Sequence, residues 1–308
     1  MSYLNDCMEM NDMEIKSILT KLKKGLMEAR PSLEDLNFGS NVYRERNYKD
    51  FYLWKESDNF FDIPGEIELG TGTRAVKSSA AFIYNIFGND EIEIDGIKYN
   101  PIKYEDKLEA LLNRKPAHLD GRLIAKDNSK VIYLETKLLE WSGTPKNLAL
   151  AYLDTENYPK KNSNSKKFVE FFDSICEKEE KQDKNGEWRR NHKAKVYDVI
   201  QMTIHILGIY NTVCKGEELK KDVPMPEEIE LINLVWDYDC KRYKTEKEEA
   251  EEYISELNNA FAPLFEKLHK KFCVKYISFS EFLNNHNVKF KDPARKEYLT
   301  KRYLLENK

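Results

Sequence analysis

The chain has 308 residues, 41% of them hydrophobic and 34% charged, enough for a sizeable core under a well-solvated surface. No apolar run approaches the ~20 residues of a membrane span, and the start Met1-Ser2-Tyr3-Leu4-Asn5-Asp6 lacks a signal peptide's basic and apolar regions; a cytoplasmic protein with no membrane partner is expected. The five cysteines, Cys7, Cys176, Cys214, Cys240 and Cys273, form no CxxC pair, which argues against zinc ribbons and iron–sulfur clusters. A net charge of −4 leaves nucleic-acid binding open, because that needs a local basic surface rather than a basic total.

In chain order, Met13, Ile15, Ile18, Leu19, Leu22 and Leu26 predict a one-faced helix over 8–30, closed by Pro31. The aromatic-rich stretch 32–72 holds Pro64-Gly65 and Gly70-Thr71-Gly72 and reads as irregular structure with short strands. Ser78 to Phe87 predicts a helix, and Ile92 to Tyr99 a hairpin around Asp95-Gly96. Tyr104 to Leu112 predicts a short helix with Leu108, Leu111 and Leu112 facing inward. Two strands follow, Ala117 to Lys126 and Lys130 to Trp141, joined by the turn residues Asp127-Asn128-Ser129. Beyond a lysine-rich loop over 154–167 come helices near 166–180 and 193–213, a strand from Leu231 to Trp236, a charged helix over 246–271, a strand from Lys275 to Phe279 and a helix after Pro293. With no repeat and no linker, the expectation is one α/β domain over 1–308. It divides into an N-terminal helical extension (1–74), a core (75–213) and C-terminal strands and helices that complete the fold (214–308).

The chemistry concentrates in the two strands. Side chains alternate faces along a strand, so Tyr133, Glu135 and Lys137 share one face and Ile132, Leu134, Thr136 and Leu138 the other. On the first strand His118, Asp120 and Arg122 oppose Leu119, Leu123 and Ala125. A symmetric fold about Asn128-Ser129 pairs Asp120 with Lys137 and makes Glu135 the diagonal neighbour of Asp120, at about 7–8 Å before the side chains reach inward. Two carboxylates so placed can share a divalent cation, and in phosphodiester hydrolysis such a cation can polarise the phosphoryl group, lower the pKa of a bound water and stabilise the leaving oxygen. A lysine beside them can orient water or stabilise developing charge. An isolated ExK triplet is common as a cross-strand ion pair; the apolar flanks, where bare charge is costly, and the opposed Asp120 raise this one above that background.

This segment resembles the PD-(D/E)xK nuclease superfamily, and within it a bacterial subgroup of restriction endonucleases. The resemblance spans roughly 75–213, with Leu119 in place of the proline that names the motif. It implies a restriction-endonuclease-like mixed central sheet flanked by helices. It implies an Mg²⁺-dependent endonuclease, with Mn²⁺ as a substitute, acting on DNA rather than RNA in restriction or defence. Asp120 and Glu135 then bind the metal, the carbonyl of Thr136 completes the site, and Lys137 assists the attacking water. Glu105, preferred over Glu109, is the helix acid, and Gln201 the glutamine of a later helix. A nuclease that cuts both strands often works as a dimer, so a homodimer is among the expected partners. The rival readings are an RNA-directed nuclease, or a non-catalytic nucleic-acid-binding or assembly protein that kept the fold.

Three further features bear on partners. Tyr197, Gln201 and His205 stand at i, i+4 and i+8 on one face of an otherwise apolar helix; His205 reads either as a phosphate contact or as a satisfied core residue. Arg189, Arg190, Lys193 and Lys195 form an acid-free basic run beside Trp188, suited to phosphates with the indole stacking on a base, though charge runs are usually solvated faces. The mixed-sign run 244–252 reads as an exposed helix face, and Glu140 reaches the site only if the chain changes direction after Lys137.

Overall fold

The computed structural model describes residues 12–29, 79–139, 143, 145–216 and 225–304. The stretch 32–72 and the pair Glu140-Trp141, discussed above, lie outside the described residues.

The helices are α1 (Asp12–Ala29), α2 (Ser79–Phe87), α3 (Ser165–Ile175), α4 (Val199–Lys215), α5 (Lys241–Glu266), α6 (Phe279–Asn284) and α7 (Ala294–Tyr303). The strands are β1 (Ile92–Ile94), β2 (Ile97–Tyr99), β3 (Lys103–Leu108), β4 (Ala117–Ile124), β5 (Lys130–Lys137), β6 (Leu148–Ala149), β7 (Cys176–Gln182), β8 (Trp188–His192), β9 (Glu228–Val235), β10 (Lys271–Ser278) and β11 (Lys289–Phe290). Five of them make a central mixed sheet in the order β10-β9-β5-β4-β3. The pairs β3–β4 and β4–β5 are antiparallel, whereas β5–β9 and β9–β10 are parallel. The chain is therefore α/β with a mixed central sheet.

Both faces of the sheet are buried: β5 and β9 are buried along nearly their whole length, and the apolar run Val131-Ile132-Tyr133-Leu134 lies in the middle of the sheet. On one face Leu123, Ile132, Leu134 and Ile232 meet Leu22 of α1, Phe82 of α2, Phe282 of α6 and Leu299 of α7. On the other Val131, Tyr133, Leu231 and Val274 meet Phe168 of α3, Ile206 of α4 and Phe261 of α5. Each such side chain contributes ~1.5–3 kcal/mol on burial. Helix α4 lies close on the sheet because Gly208 has no side chain: a Cβ there would stand 2.9 Å from Cβ of Leu108.

The segment 104–112 is not a helix. Its first part is β3, where Tyr104, Asp106 and Leu108 are buried in alternation. The leucine spacing suggested a period of 3.6, and the charged Asp106 hid the period of 2. Asp106 is only 1% exposed and is held by Lys103 Nζ at 2.5 Å and by the Arg122 guanidinium at 3.0 Å. Between Tyr104 and Asp106, Glu105 takes the left-handed conformation, φ 50°. The strand changes face there: Tyr104 packs in the first layer and Leu108 in the second. β4 switches likewise, since Leu119 belongs to the second layer and Leu123 to the first. The single apolar face expected for Leu119, Leu123 and Ala125 is thus divided.

The hairpin register differs from the symmetric one by two residues. Gly121 pairs with Leu134, Leu123 with Ile132 and Ile124 with Val131, and Ala125 N–H donates to the carbonyl of Lys130. The loop is therefore four residues, 126–129, turned by Asn128 at φ 58° and tied by the Asp127 carboxylate, which accepts from Ser129 N–H and Oγ. A slip of two preserves face while changing partner; the ladder ends at Gly121 and Leu134, so Asp120 lies beyond it and is not paired with Lys137. Elsewhere, α3 ends at Ile175 and the chain continues as β7, and α4 begins at Val199 rather than 193. The charged helix runs Lys241–Glu266.

Candidate active site

Glu135 lies near the end of β5, the middle strand of the central sheet, on the face covered by α4. Its side chain is 3% exposed. Oε1 accepts from Lys137 Nζ at 2.5 Å and from Gln201 Nε2 at 2.8 Å, and Lys137 also donates to Gln201 Oε1 at 2.9 Å. The three side chains close a triangle. Lys137 reaches Glu135 because i and i+2 share a face. Gln201 reaches both because Asp198 caps α4, accepting from the Gln201 N–H, and fixes where the helix begins. Asn233, opposite Glu135 on β9, donates to the Glu135 carbonyl at 3.3 Å.

Asp120 approaches from β4. Its Oδ2 accepts from both the N–H and the hydroxyl of Thr136, at 2.6 and 2.7 Å. The β4–β5 ladder runs only to Gly121 and Leu134, and the Thr136 N–H goes to the aspartate instead of to a strand partner. Asp120 and Glu135 are thus both anchored to the end of one strand, by one oxygen each. Among the described residues Glu135 Oε2 is buried and accepts no hydrogen bond, and the hydrogen bonds made to Asp120 go to Oδ2 rather than Oδ1.

The two acids are driven apart electrostatically. Burial alone would raise Glu135, but the charge of Lys137 and the adjoining His205 hold it down to about 2. Burial, followed by the negative charge of Glu135, pushes Asp120 well above the usual carboxylate range. One ionised and one proton-retaining carboxyl is the state such a pair adopts without a cation. A divalent ion, if bound, would relieve this repulsion by pairing with the negative charge of the two carboxylates. The donor set fits a hard cation, with carboxylate oxygens and the Thr136 carbonyl available. No group of three or more His, Cys, Asp or Glu side chains is gathered around one point among the described residues, so water or substrate must supply the remaining ligands.

The structure brings Asp120, Glu135, Lys137 and Gln201 together and distributes the other candidates elsewhere. Glu105 occupies the register position beside Asp120, on a strand rather than on a helix; its Oε2 lies 3.9 Å from His118 Nδ1. Glu109, expected to be solvated, takes an ion pair from Lys215. His205 is 2% exposed and faces Glu135, away from any surface a phosphate backbone could pass. The basic run is not free of acids in space. Arg189 pairs with Asp183 and Glu187, and Arg190 with Asp173 and Glu180. Lys193 donates to the Ser174 carbonyl, and the Lys195 N–H to Glu249. Trp188 beside them is half exposed.

Two acids that the sequence placed on an exposed face also support this region. Glu246 is 3% exposed, accepts from Tyr276 Oη at 2.5 Å, and is pushed up by burial to about 7. Glu249 accepts from the N–H groups of Lys195, Val196 and Tyr197, fixing the approach to α4. Nothing in the mixed-sign run distinguishes these two from their solvated neighbours. Asn233 did carry a signal, as the lone polar residue within Leu231-Ile232-Asn233-Leu234-Val235.

No helix among the described residues is long and apolar enough to cross a membrane. No protein-family model, curated protein or solved structure matches the chain.

Proposed function

We propose that the protein is a divalent-cation-dependent nuclease of the PD-(D/E)xK type, hydrolysing phosphodiester bonds of DNA. The observation that carries the reading is the closed Lys137–Glu135–Gln201 triangle beside Asp120, with Glu135 Oε2 uncommitted among the described residues. A mixed sheet with helices on both faces is the architecture a restriction-endonuclease-like fold requires.

Asp120 Oδ1, Glu135 Oε2 and the Thr136 carbonyl are the residues that would hold Mg²⁺ or Mn²⁺. When bound, the cation supplies Lewis-acid polarisation of the phosphoryl oxygen. Thr136 fixes Asp120 through two hydrogen bonds to Oδ2, so its other oxygen points consistently. Gln201 and Glu135 hold the Lys137 ammonium at the end of β5, where the side chain is 17% exposed. From there it can orient a water for attack on phosphorus and stabilise the charge that gathers on the phosphoryl oxygens. Hydrolysis forms one P–O bond from water and breaks one to the leaving sugar oxygen. A role in restriction or defence is part of the proposal by family resemblance alone.

The test is cleavage of a panel of DNA and RNA substrates by the purified protein with Mg²⁺ or Mn²⁺. DNA should be cut, and Lys137→Ala should abolish cutting while the circular dichroism spectrum stays that of a folded chain. Undiminished cutting by Lys137→Ala would sink the assignment; cutting of RNA alone would redirect it.

A further inference from the structure

His205 stands one turn after Gln201 on α4, with its side chain 3% exposed. Neither ring nitrogen makes a hydrogen bond. Buried polar atoms are nearly always satisfied, and the orphaned Nε2 calls for a partner. Nε2 lies 3.0 Å from Glu135 Oε2 but off the line a hydrogen bond needs, so Oε2 is unsatisfied too. Lys137 and Gln201 already occupy Oε1. The unsatisfied oxygen and the unsatisfied nitrogen therefore face each other, both buried.

A cation placed between them accounts for the spacing. Adjacent ligands of an octahedral ion with bonds of about 2.1 Å stand apart by that length times the square root of two, about 3.0 Å. We propose that His205 Nε2 and Glu135 Oε2 are neighbouring ligands of one divalent ion, making the centre a nitrogen–oxygen site selective for a transition ion such as Mn²⁺ over Mg²⁺. Imidazole suits first-row transition ions, whereas Mg²⁺ prefers oxygen and keeps its waters. Ligation through Nε2 places the ring proton on Nδ1. No third His, Cys, Asp or Glu side chain joins these two around one point among the described residues, so water or substrate would complete the shell. The inference rests on the cation-dependent reading above and goes beyond it in naming the ligand and the metal class.

Pulsed electron paramagnetic resonance of the full chain loaded with Mn²⁺ tests it. Echo modulation from a directly bound ¹⁴N is expected in the wild type and should vanish in His205→Gln. Titration calorimetry should show Mn²⁺ affinity falling at least ~10-fold in that variant, with Mg²⁺ affinity changed less than about two-fold. Bound Mn²⁺ without nitrogen modulation in the wild type overturns the inference, a readout that needs no variant to fold. Equal weakening of both metals in His205→Gln overturns it as well, since that marks His205 as support for Glu135 rather than a ligand. Cleavage is scored separately. Absent nitrogen modulation with Lys137-dependent cutting fails this inference and leaves the nuclease standing; nitrogen modulation without cutting does the reverse.

Discussion

Replacing Lys137 by Met removes the main cation facing a carboxylate that is 3% exposed. Glu135 sits at about 2 against an ordinary 4.5. At ~1.4 kcal/mol for each tenfold, that gap represents ~3 kcal/mol of net stabilisation of the ionised form. A folded value below the unfolded one gives stability that is fully present above pH 4.5 and is lost as the pH falls through about 2. Without Lys137, burial is opposed only by His205 and the Gln201 amide, and the carboxyl moves up. Lys137→Met should therefore cost ~3 kcal/mol or more at pH 8, in the range found when one partner of a buried pair is removed. Most domains survive such a loss at neutral pH. The cost should shrink on acidification and vanish only below about pH 2, where Glu135 becomes protonated in both proteins. Adding Glu135→Gln should return most of the loss, because the stranded charge goes with its partner. Urea unfolding followed by circular dichroism at pH 8 and pH 4, with metal chelated, measures all three chains. A cost under ~1 kcal/mol at pH 8, or one that grows as the pH falls, would refute the reasoning.

The other predictions test the supports of the site. Glu246, raised from 4.5 to about 7 by burial, keeps a proton that the unfolded chain releases. Wild-type stability should thus fall as the pH climbs between those values, by up to ~3 kcal/mol; Glu246→Gln, still able to accept from Tyr276, should match the wild type at pH 4 and exceed it at pH 8 in urea unfolding. Gly208→Val places a branched side chain where even a Cβ meets Leu108 at 2.9 Å, and should cost ~2–3 kcal/mol and lower Tm by several degrees in calorimetry. Glu249→Ala removes the acceptor of three backbone N–H groups at the entry to α4; amide hydrogen exchange should accelerate at Val196 and Tyr197 while the β5 amides remain protected.

What could be read in the sequence followed from periodicity and what could not followed from contacts. The β4–β5 hairpin was visible because apolar alternation and the Asp127-Asn128-Ser129 turn agree. The shared face of Glu135 and Lys137 was legible whatever the register, because the two stand two residues apart on one strand. Gln201 arrived at the site because Asp198 starts α4 where the face is right. β3 was misread since its buried Asp106 is stabilised by Lys103 and Arg122, and no local pattern announces that pairing. β7 was misread as the end of a helix since Cys176-Glu177-Lys178-Glu179-Glu180-Lys181-Gln182 has no apolar alternation. Its strand conformation comes from pairing with β8. The neutralisation of Arg189 and Arg190 belongs to the same hairpin and was equally invisible.

That hairpin also bears on how copies of the chain meet one another. Among the described residues β7 is an edge of its three-stranded sheet, and an edge strand is a ready template for another strand. After Cys176 every residue of β7 is exposed, and Glu177 to Lys181 are all charged. A second β7 laid alongside in register would set Glu177, Glu179 and Glu180 against themselves, a repulsive arrangement. The lack of apolar signal that hid this strand from sequence reading is the property that blunts it as a seed for aggregation.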